Sequence, residues 1–483
     1  CIRDSSYPLG DGDAGYKQAR NAVEALLAAR KATRNFDQVN WGSNEPKCSL
    51  CGVRESVIPE GSFKNMSETD LWKKYKIRPG ERLCGVCLLK RNGTRKEGQH
   101  FFSTSHVAAL LLLDTLTEEQ RQRVEDYLNT LKRLGVPAEA LATVYPPHPV
   151  FGPCDGEFLF EERLREFFRK DKEKLGKAQE ALREFLKEAL DDKRPLPYYG
   201  LILADGDHMG KVIDAQDSPQ KHRELSRAQS EFAAEAYKIV EEHKGSLIYS
   251  GGDDVLALVP LHKLLGCAQS LSEAFSKKLA GFKVKEGNKE ISPSLSMGIV
   301  IAHHLTPLSD VLDLVRRAEK AAKELRGKNA LAVVLSKRSG EERMVRDRWR
   351  DLGQQLARLV ELHRKDAIPD GVAYELSELV RQLRTEDEGL RDPLEEVARV
   401  ELKRILYRKR ARRGTEALEG KVVEELEQFV GKEKGSLEKI ERLADSLVIA
   451  RELARALDLA EERASTTPEG VEKNDPADVD YRT

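Results

Sequence analysis

Apolar residues recur at three- and four-residue spacings from Ser103 to Leu190, the period of an amphipathic helix. Thr117 followed by Gln120 predicts a capping box inside that region. The unbroken apolar run Ala108 to Leu113 predicts a buried helix segment. The stretch Phe158 to Leu190 predicts one long helix, broken near Gly176 and ended by Pro195 and Pro197. Beyond the prolines the period changes. Tyr198 to Ala204 (YYGLILA) is a continuous apolar run of strand length, followed by a helical pattern from about His222 to Lys244. Two short strands are then predicted, Ser246 to Ser250 and Val255 to Val259, with GGDD between them. A helix from about His262 to Ala280, a strand Ser294 to Ala302, a helix Leu308 to Arg326 and a strand Ala330 to Leu335 complete the unit. The order βαββαβ plus an extra αβ is the ferredoxin-like arrangement of split βαβ units. Helical patterns return from about Gly340 and fade after Ala464. A further helical stretch, Ala19 to Arg34, precedes an irregular region.

Composition narrows the reading. At 483 residues the chain exceeds one hydrophobic core, and about 150 residues per domain suggests about three. With 81 Lys+Arg against 82 Asp+Glu, net charge carries no information on nucleic acid, so any such surface is local. No apolar run reaches the ~18 residues that span a membrane, so a soluble protein with no membrane partner is expected, and the paired cysteines add the expectation of a reducing cytoplasm. Four of the seven cysteines form two C-x-x-C pairs, Cys48/Cys51 and Cys84/Cys87, which favours metal in a reducing compartment over disulfides. Four thiolates suit tetrahedral Zn²⁺ and leave no open catalytic position. The gap between the pairs exceeds the usual ~15–20 residues, so the intervening loop must fold back. Reduced core cysteines or a redox pair are the alternatives. Cys1, Cys154 and Cys267 read as ordinary cysteines.

The candidate chemistry lies in Ser250-Gly251-Gly252-Asp253-Asp254. Glycines relieve the steric limits of a tight turn and let phosphates approach the backbone. Adjacent carboxylates repel each other, and a divalent cation removes that cost. A plain hairpin turn of Gly and Asp is the alternative reading. The first strand adds weight to the metal reading, because it ends in Asp205 and its end should lie beside the hairpin tip. Asp205, Asp253 and Asp254 together give the carboxylate set for Mg²⁺ or Mn²⁺ and in-line phosphoryl chemistry. Asp207 reads either as support for that site or as a turn residue capping the next helix, and His208 as exposed or structural.

The GGDD hairpin, the preceding DGDHMGK, the strand LSMGIVIAHH and the later AEKAAKELRGKNA together resemble the palm of the large subunit of type III CRISPR effector complexes, closest to the Cmr branch, over residues 198 to 336. GGDEF diguanylate cyclases share the scaffold, but Asp254-Val255 departs from their acid-Phe ending. The resemblance implies conversion of ATP to cyclic oligoadenylates, a nucleotide site at Ser250, Gly251, Gly252 and Lys323, structural zinc upstream, and partners comprising other complex subunits, guide RNA and target RNA. A solvated helix lysine is the equal alternative for Lys323. The adenine preference comes from the resemblance alone.

The expected fold is α+β: a ferredoxin-like (βαββαβ) palm domain with a zinc-binding module and flanking all-helical domains. Residues 1–47 read as the tail of a missing upstream domain, 48–102 as the zinc module and 103–195 as a helical domain. Residues 196–340 read as the GGDD palm, 341–464 as a C-terminal helical domain and 465–483 as a disordered tail. No His-Asp dipeptide occurs, so the nuclease found in the family is not expected. The basic stretch Lys403 to Arg413 reads as a solvated helix, with RNA phosphate contact as the alternative. A non-catalytic scaffold and a stand-alone cyclase remain open beside the catalytic subunit. One palm holds one nucleotide, so the chain alone is expected to bind ATP and metal but make little product.

Overall fold

A computed structural model describes residues 12–33, 45–93, 102–169, 171–286, 289–338, 340–385, 388–409, 418–431 and 435–464. The chain divides into two compact units, Cys1–Gly353 and Gln354–Thr483. The first contains a six-stranded sheet of β1 (Tyr198–Gly206), β2 (Ser246–Ser250), β3 (Asp254–Pro260), β6 (Leu295–His303), β7 (Ala330–Ser336) and β8 (Arg343–Arg348). Two short strands, β4 (Val284–Glu286) and β5 (Lys289–Ile291), pair separately. Strand order in the main sheet is β2-β3-β1-β6-β7-β8. In the row β2-β3-β1-β6 each strand is antiparallel to its neighbour, the ferredoxin-like order, and the crossover through helix Leu308–Lys323 adds β7 parallel to β6. The expected α+β class and strand order hold.

β1 is apolar from Tyr199 to Ala204 because both of its faces are covered there. A side chain at Gly200 would collide with Leu264 of helix Leu264–Lys278. On β6, a Cβ at Gly298 would lie 2.3 Å from the backbone nitrogen of Glu319, in helix Leu308–Lys323. Gly298 pairs with Leu203, and residues 200 and 203 point to opposite faces. Helix Leu308–Lys323 therefore lies on the face of Tyr199, Leu201, Leu203 and, at the strand's end, Asp205. Tyr199, Leu201, Val300 and Val334 share one core with Val311, Val315 and Ala318 of that helix. The same core continues into Val107, Leu113, Phe158 and Leu182 of the preceding helical segment.

Several predicted boundaries move. The segment after residue 158 breaks after Phe167, not at Gly176, and the Asp171 carboxylate accepts from the Lys174 N–H and starts helix Lys172–Leu190. Gly176 stays inside that helix. The N-terminal helix is Gly12–Ala32. The helix expected from His222 begins at Pro219, capped by Ser218, after a separate short helix Met209–Asp214. Arg343–Arg348, expected to be helical, is a strand: Val345 is buried opposite Val333 and supplies an edge to β7. The Thr117–Gln120 capping box and the buried 108–113 run occur as expected.

The second unit is helical, with Gly371–Leu383 packed on Ser436–Ala464. The described part of the basic stretch is ion-paired: Lys403 with Glu427 at 3.1 Å, Arg404 with Glu401, and Arg408 and Lys409 with Glu375. Residues 410–413, the tail 465–483 and Cys1 lie outside the described residues. No described helix is long and apolar enough to cross a membrane.

Because backbone atoms of Val315, Ala318 and Glu319 fill the space beside Gly298, Gly298→Ala must push the helix off the sheet. Urea unfolding should show a loss of about 1–3 kcal/mol, the usual cost of overpacking. An unchanged midpoint would mean that the helix–sheet contact is slack.

Candidate functional site

The β1–β3 register sets Asp205 directly opposite Asp254. The Gly206 N–H donates to the Asp253 carbonyl at 3.1 Å, and the Gly251 N–H donates to the Asp254 carbonyl at 3.0 Å, which closes the hairpin tip against the end of β1. Two glycines are required by this geometry. Gly252 has φ +97°, and a Cβ on Gly206 would come within 2.9 Å of the Asp253 Cβ. Asp205, Asp253 and Asp254 each offer a carboxylate oxygen within 4.8 Å of the others. The structure thus brings together the three carboxylates singled out in the sequence. Hard divalent cations such as Mg²⁺ and Mn²⁺ take oxygen ligands of this kind.

The electrostatics follow from crowding. Burial, then the Asp205 carboxylate, pushes Asp254 up to about 6. Burial and Asp205 likewise raise Asp253, while Lys323 opposes the shift. Lys323 ends helix Leu308–Lys323, and its ammonium donates to Asp205 and, at 3.1 Å, to Glu319 one turn earlier. Burial lowers the lysine's affinity for its proton, but these two carboxylates outweigh it and the net shift is upward. Lys323 is therefore tied to the acidic cluster and is not a free helix lysine. Ser250 and Gly251 flank the tip, and the Ser250 hydroxyl is buried without a hydrogen-bond partner.

Asp207 does not cap the following helix. It is fully buried, and its Oδ2 accepts from the Ser294 hydroxyl at 2.7 Å, the Ser296 hydroxyl at 2.8 Å and the Asn329 N–H at 2.9 Å. It ties the end of β1 to the start of β6 and to the turn before β7. Its neighbour His208 occupies the left-handed region and is half-buried, with one ring nitrogen lacking a partner. Ser294, Ser296, Asn329 and Glu319 were not legible as site residues, because their roles depend on contacts made across the sheet.

Cys48, Cys51, Cys84 and Cys87 converge with sulfur atoms within 4.8 Å of one another. Two knuckles shape the cluster. The Gly52 N–H donates to the Cys48 carbonyl, with Gly52 at φ +63°, and Cys84 caps helix Gly85–Asn92 by accepting from the Cys87 N–H. The 32-residue gap is filled by helices Glu60–Asn65 and Glu68–Tyr75. Ile58, Leu71, Ile77 and Leu83 form a small core beneath Cys48 and Cys84. Backbone N–H groups of Arg54 and Val53 pull Cys51 down to about 6, whereas burial and the neighbouring sulfurs push Cys87 up to about 12. The cluster could hold a metal, and four sulfurs in closed knuckles suit tetrahedral Zn²⁺. Cys154 and Cys267 are buried and far in sequence from the pairs.

Comparison with known proteins bears out the resemblance read from the motifs. Residues 198–332 match the family described as Cas10/Cmr2, second palm domain. The chain is 27% identical over 356 residues to the CRISPR system Cmr subunit Cmr2 of Pyrococcus furiosus, covering 65% of this chain and 38% of that protein. It is 29% identical over 131 residues to the CRISPR system CMR subunit Cmr2 of Saccharolobus solfataricus, covering 24% of this chain and 12% of that protein. A Type III-B Cmr-beta cryo-EM structure of the apo state shares the fold, with a TM-score of 0.56 and 15% identity. That match covers 91% of this chain and 61% of its counterpart. The chain thus spans well under half the length of the curated relatives it matches.

Two predictions follow from the clusters. Elemental analysis should find about one zinc per chain, and Cys84→Ser should lower the thermal midpoint and the zinc content together. A fully stable protein without zinc would overturn the assignment. For Asp254, a folded-state value near 6 above an ordinary 3.8 means the folded protein holds the proton longer. Its contribution to stability is therefore present at low pH and lost as pH rises from about 4 to about 6. Asp254→Asn should remove that slope in urea titrations without added divalent metal. An identical pH profile in the variant would show that the carboxylate is not crowded.

Proposed function

We propose that the chain is part of the large subunit of a type III CRISPR effector complex of the Cmr type, and that its palm binds ATP with divalent metal. The product, made on target RNA binding, would be cyclic oligoadenylate second messengers for antiviral defence. The observation that carries this reading is the Asp205–Asp253–Asp254 triad, formed where β1 meets the β2–β3 hairpin inside the segment matching the Cas10/Cmr2 second palm. Other complex subunits, guide RNA and target RNA are the partners this reading implies.

In this mechanism the three carboxylates would hold Mg²⁺ or Mn²⁺. When bound, such an ion supplies charge neutralisation for the triphosphate and a lowered pKa for the attacking ribose hydroxyl. The chain's own residues do the positioning. Gly252 carries no side chain and has only Gln229 nearby, so a phosphate can approach the hairpin backbone there, whereas the Tyr249 phenol fills the space beside Gly251 and the Ser250 hydroxyl is buried. Lys323 reaches the cluster from the facing helix and offers a cation to phosphate oxygens. Gly298 holds that helix close enough for the reach. The adenine preference rests on family resemblance, since no residue described here reads a base. Cys48, Cys51, Cys84 and Cys87 would hold zinc as four thiolate ligands, a scaffolding role with no position left for substrate.

The test is chromatography of products from ATP and Mn²⁺, with the chain alone and within an assembled complex bearing target RNA. Oligoadenylate formation in the complex, abolished by Asp253→Ala/Asp254→Ala with the fold intact by circular dichroism, is the expected result. The chain alone should bind ATP yet make little product, because a single palm does not hold the acceptor in line. Undiminished product from the double variant would move the site elsewhere. Robust synthesis by the isolated chain would favour a stand-alone cyclase.

A further inference from the structure

Glu319 has no place in the reading above, yet its position is closely controlled. Its backbone nitrogen sits against β6 at Gly298, in space no side chain could share. Gly298 pairs with Leu203, two residues before Asp205 on the same face of β1. The helix backbone is thus pinned beside the acidic cluster, and residues 319 and 323 stand on adjacent turns of one face. The Lys323 ammonium donates to both Asp205 and Glu319. Both carboxylates are partly shielded from solvent, with side-chain exposures of 35% for Asp205 and 17% for Glu319.

We propose that Asp205 and Glu319 form a two-position seat for the Lys323 ammonium, so that the ammonium and a divalent cation exclude each other at Asp205 while Glu319 retains the lysine beside the site. This rests on the palm reading and deepens it. Asp205 faces Asp254 across the β1–β3 ladder, so an oxygen engaged by the ammonium is withdrawn from the carboxylate set a cation would use. A cation arriving alone competes with the lysine for Asp205 Oδ2 and meets its charge. A cation arriving with a triphosphate leaves the lysine a new acceptor in the phosphate oxygens. Binding of metal and nucleotide is then positively coupled, and by linkage each raises the affinity for the other by the same factor. Glu319 is a positioning residue in this scheme, acting only through Lys323.

Mn²⁺ binding to the full 483-residue chain without nucleotide, read from the electron paramagnetic resonance signal of free Mn²⁺, tests the proposal. Asp253→Asn/Asp254→Asn should abolish the tight site. Lys323→Met should tighten Mn²⁺ binding by roughly two- to five-fold, the scale of a partly exposed ion pair. Glu319→Gln should weaken it, because the ammonium then has Asp205 alone. The deciding comparison is Lys323→Met/Glu319→Gln against Lys323→Met. Equal affinities are expected if Glu319 acts through the lysine, whereas a further weakening in the double variant would show a mere field effect and overturn the proposal. Unchanged or weaker Mn²⁺ binding in Lys323→Met would also overturn it, with Lys323→Gln as the second variant if the first fails to fold by thermal melting. Mn²⁺ binding that survives in Asp253→Asn/Asp254→Asn would instead sink the palm reading itself, a result distinguishable from the others.

Discussion

Three carboxylates held within 4.8 Å repel one another, and much of the palm can be understood as the framework that keeps them together. Burial, and after it the neighbouring Asp205 carboxylate, raises the proton affinities of Asp253 and Asp254. Opposing the repulsion are backbone constraints that a side chain cannot relax. The β1–β3 ladder fixes Asp205 opposite Asp254, and the hydrogen bonds from Gly206 and Gly251 close the tip. Both flanking helices press on the sheet at glycines, Leu264 against Gly200 and Glu319 against Gly298. Burial of the apolar strand residues between those helices provides the favourable free energy against which the charge crowding is set.

Asp205 and Asp207 show how environment, not residue type, assigns a role. They lie two residues apart and on the same side of the chain end. Asp207 has three donors converging on Oδ2, a buried Oδ1 without a partner, and no exposure, so its carboxyl group serves the structure. Asp205 faces other carboxylates and is only part-buried, so it is available to a cation. The DGD sequence holds both possibilities. Only the strand partners decide, and Ser294, Ser296 and Asn329 lie 87 to 122 residues away in the chain.

That distance explains what sequence reading could and could not reach. The sheet was legible because its strands are short apolar runs bounded by Pro, Gly and Asp, and because GGDD between two of them marks a turn. The triad followed from strand order alone. Arg343–Arg348 was missed because only Val345 of its alternating residues is buried, and a charge-rich edge strand resembles a solvated helix. Gly176 looked like a helix break, but a glycine costs only about 1 kcal/mol inside a helix, and the side-chain cap at Asp171 governed the boundary instead. The link from Glu319 to Lys323 was unreadable for a different reason. An i,i+4 acid–lysine pair is common on any surface helix, and only the close approach at Gly298 directs this one at the acidic cluster.

The two clusters differ in what a bound ion could do, and the difference arises from the backbone around them. At the cysteines, all four ligands come from tight knuckles over a private core, and Arg78 anchors that module to the neighbouring helical layer through Glu157 at 3.2 Å and Glu166. Burial and Asp155 push Glu157 up to about 7, so the arginine offsets a charge that would otherwise be costly there. A metal held by four sulfurs has no coordination position left for substrate. At the hairpin, three carboxylates converge where β1 meets the β2–β3 tip, and a lysine on a helix reaches the same cluster. Three oxygen ligands would leave further positions of a six-coordinate cation for water or phosphate. The first cluster therefore suits architecture, and the second is the one arrangement among the described residues whose geometry suits phosphoryl transfer.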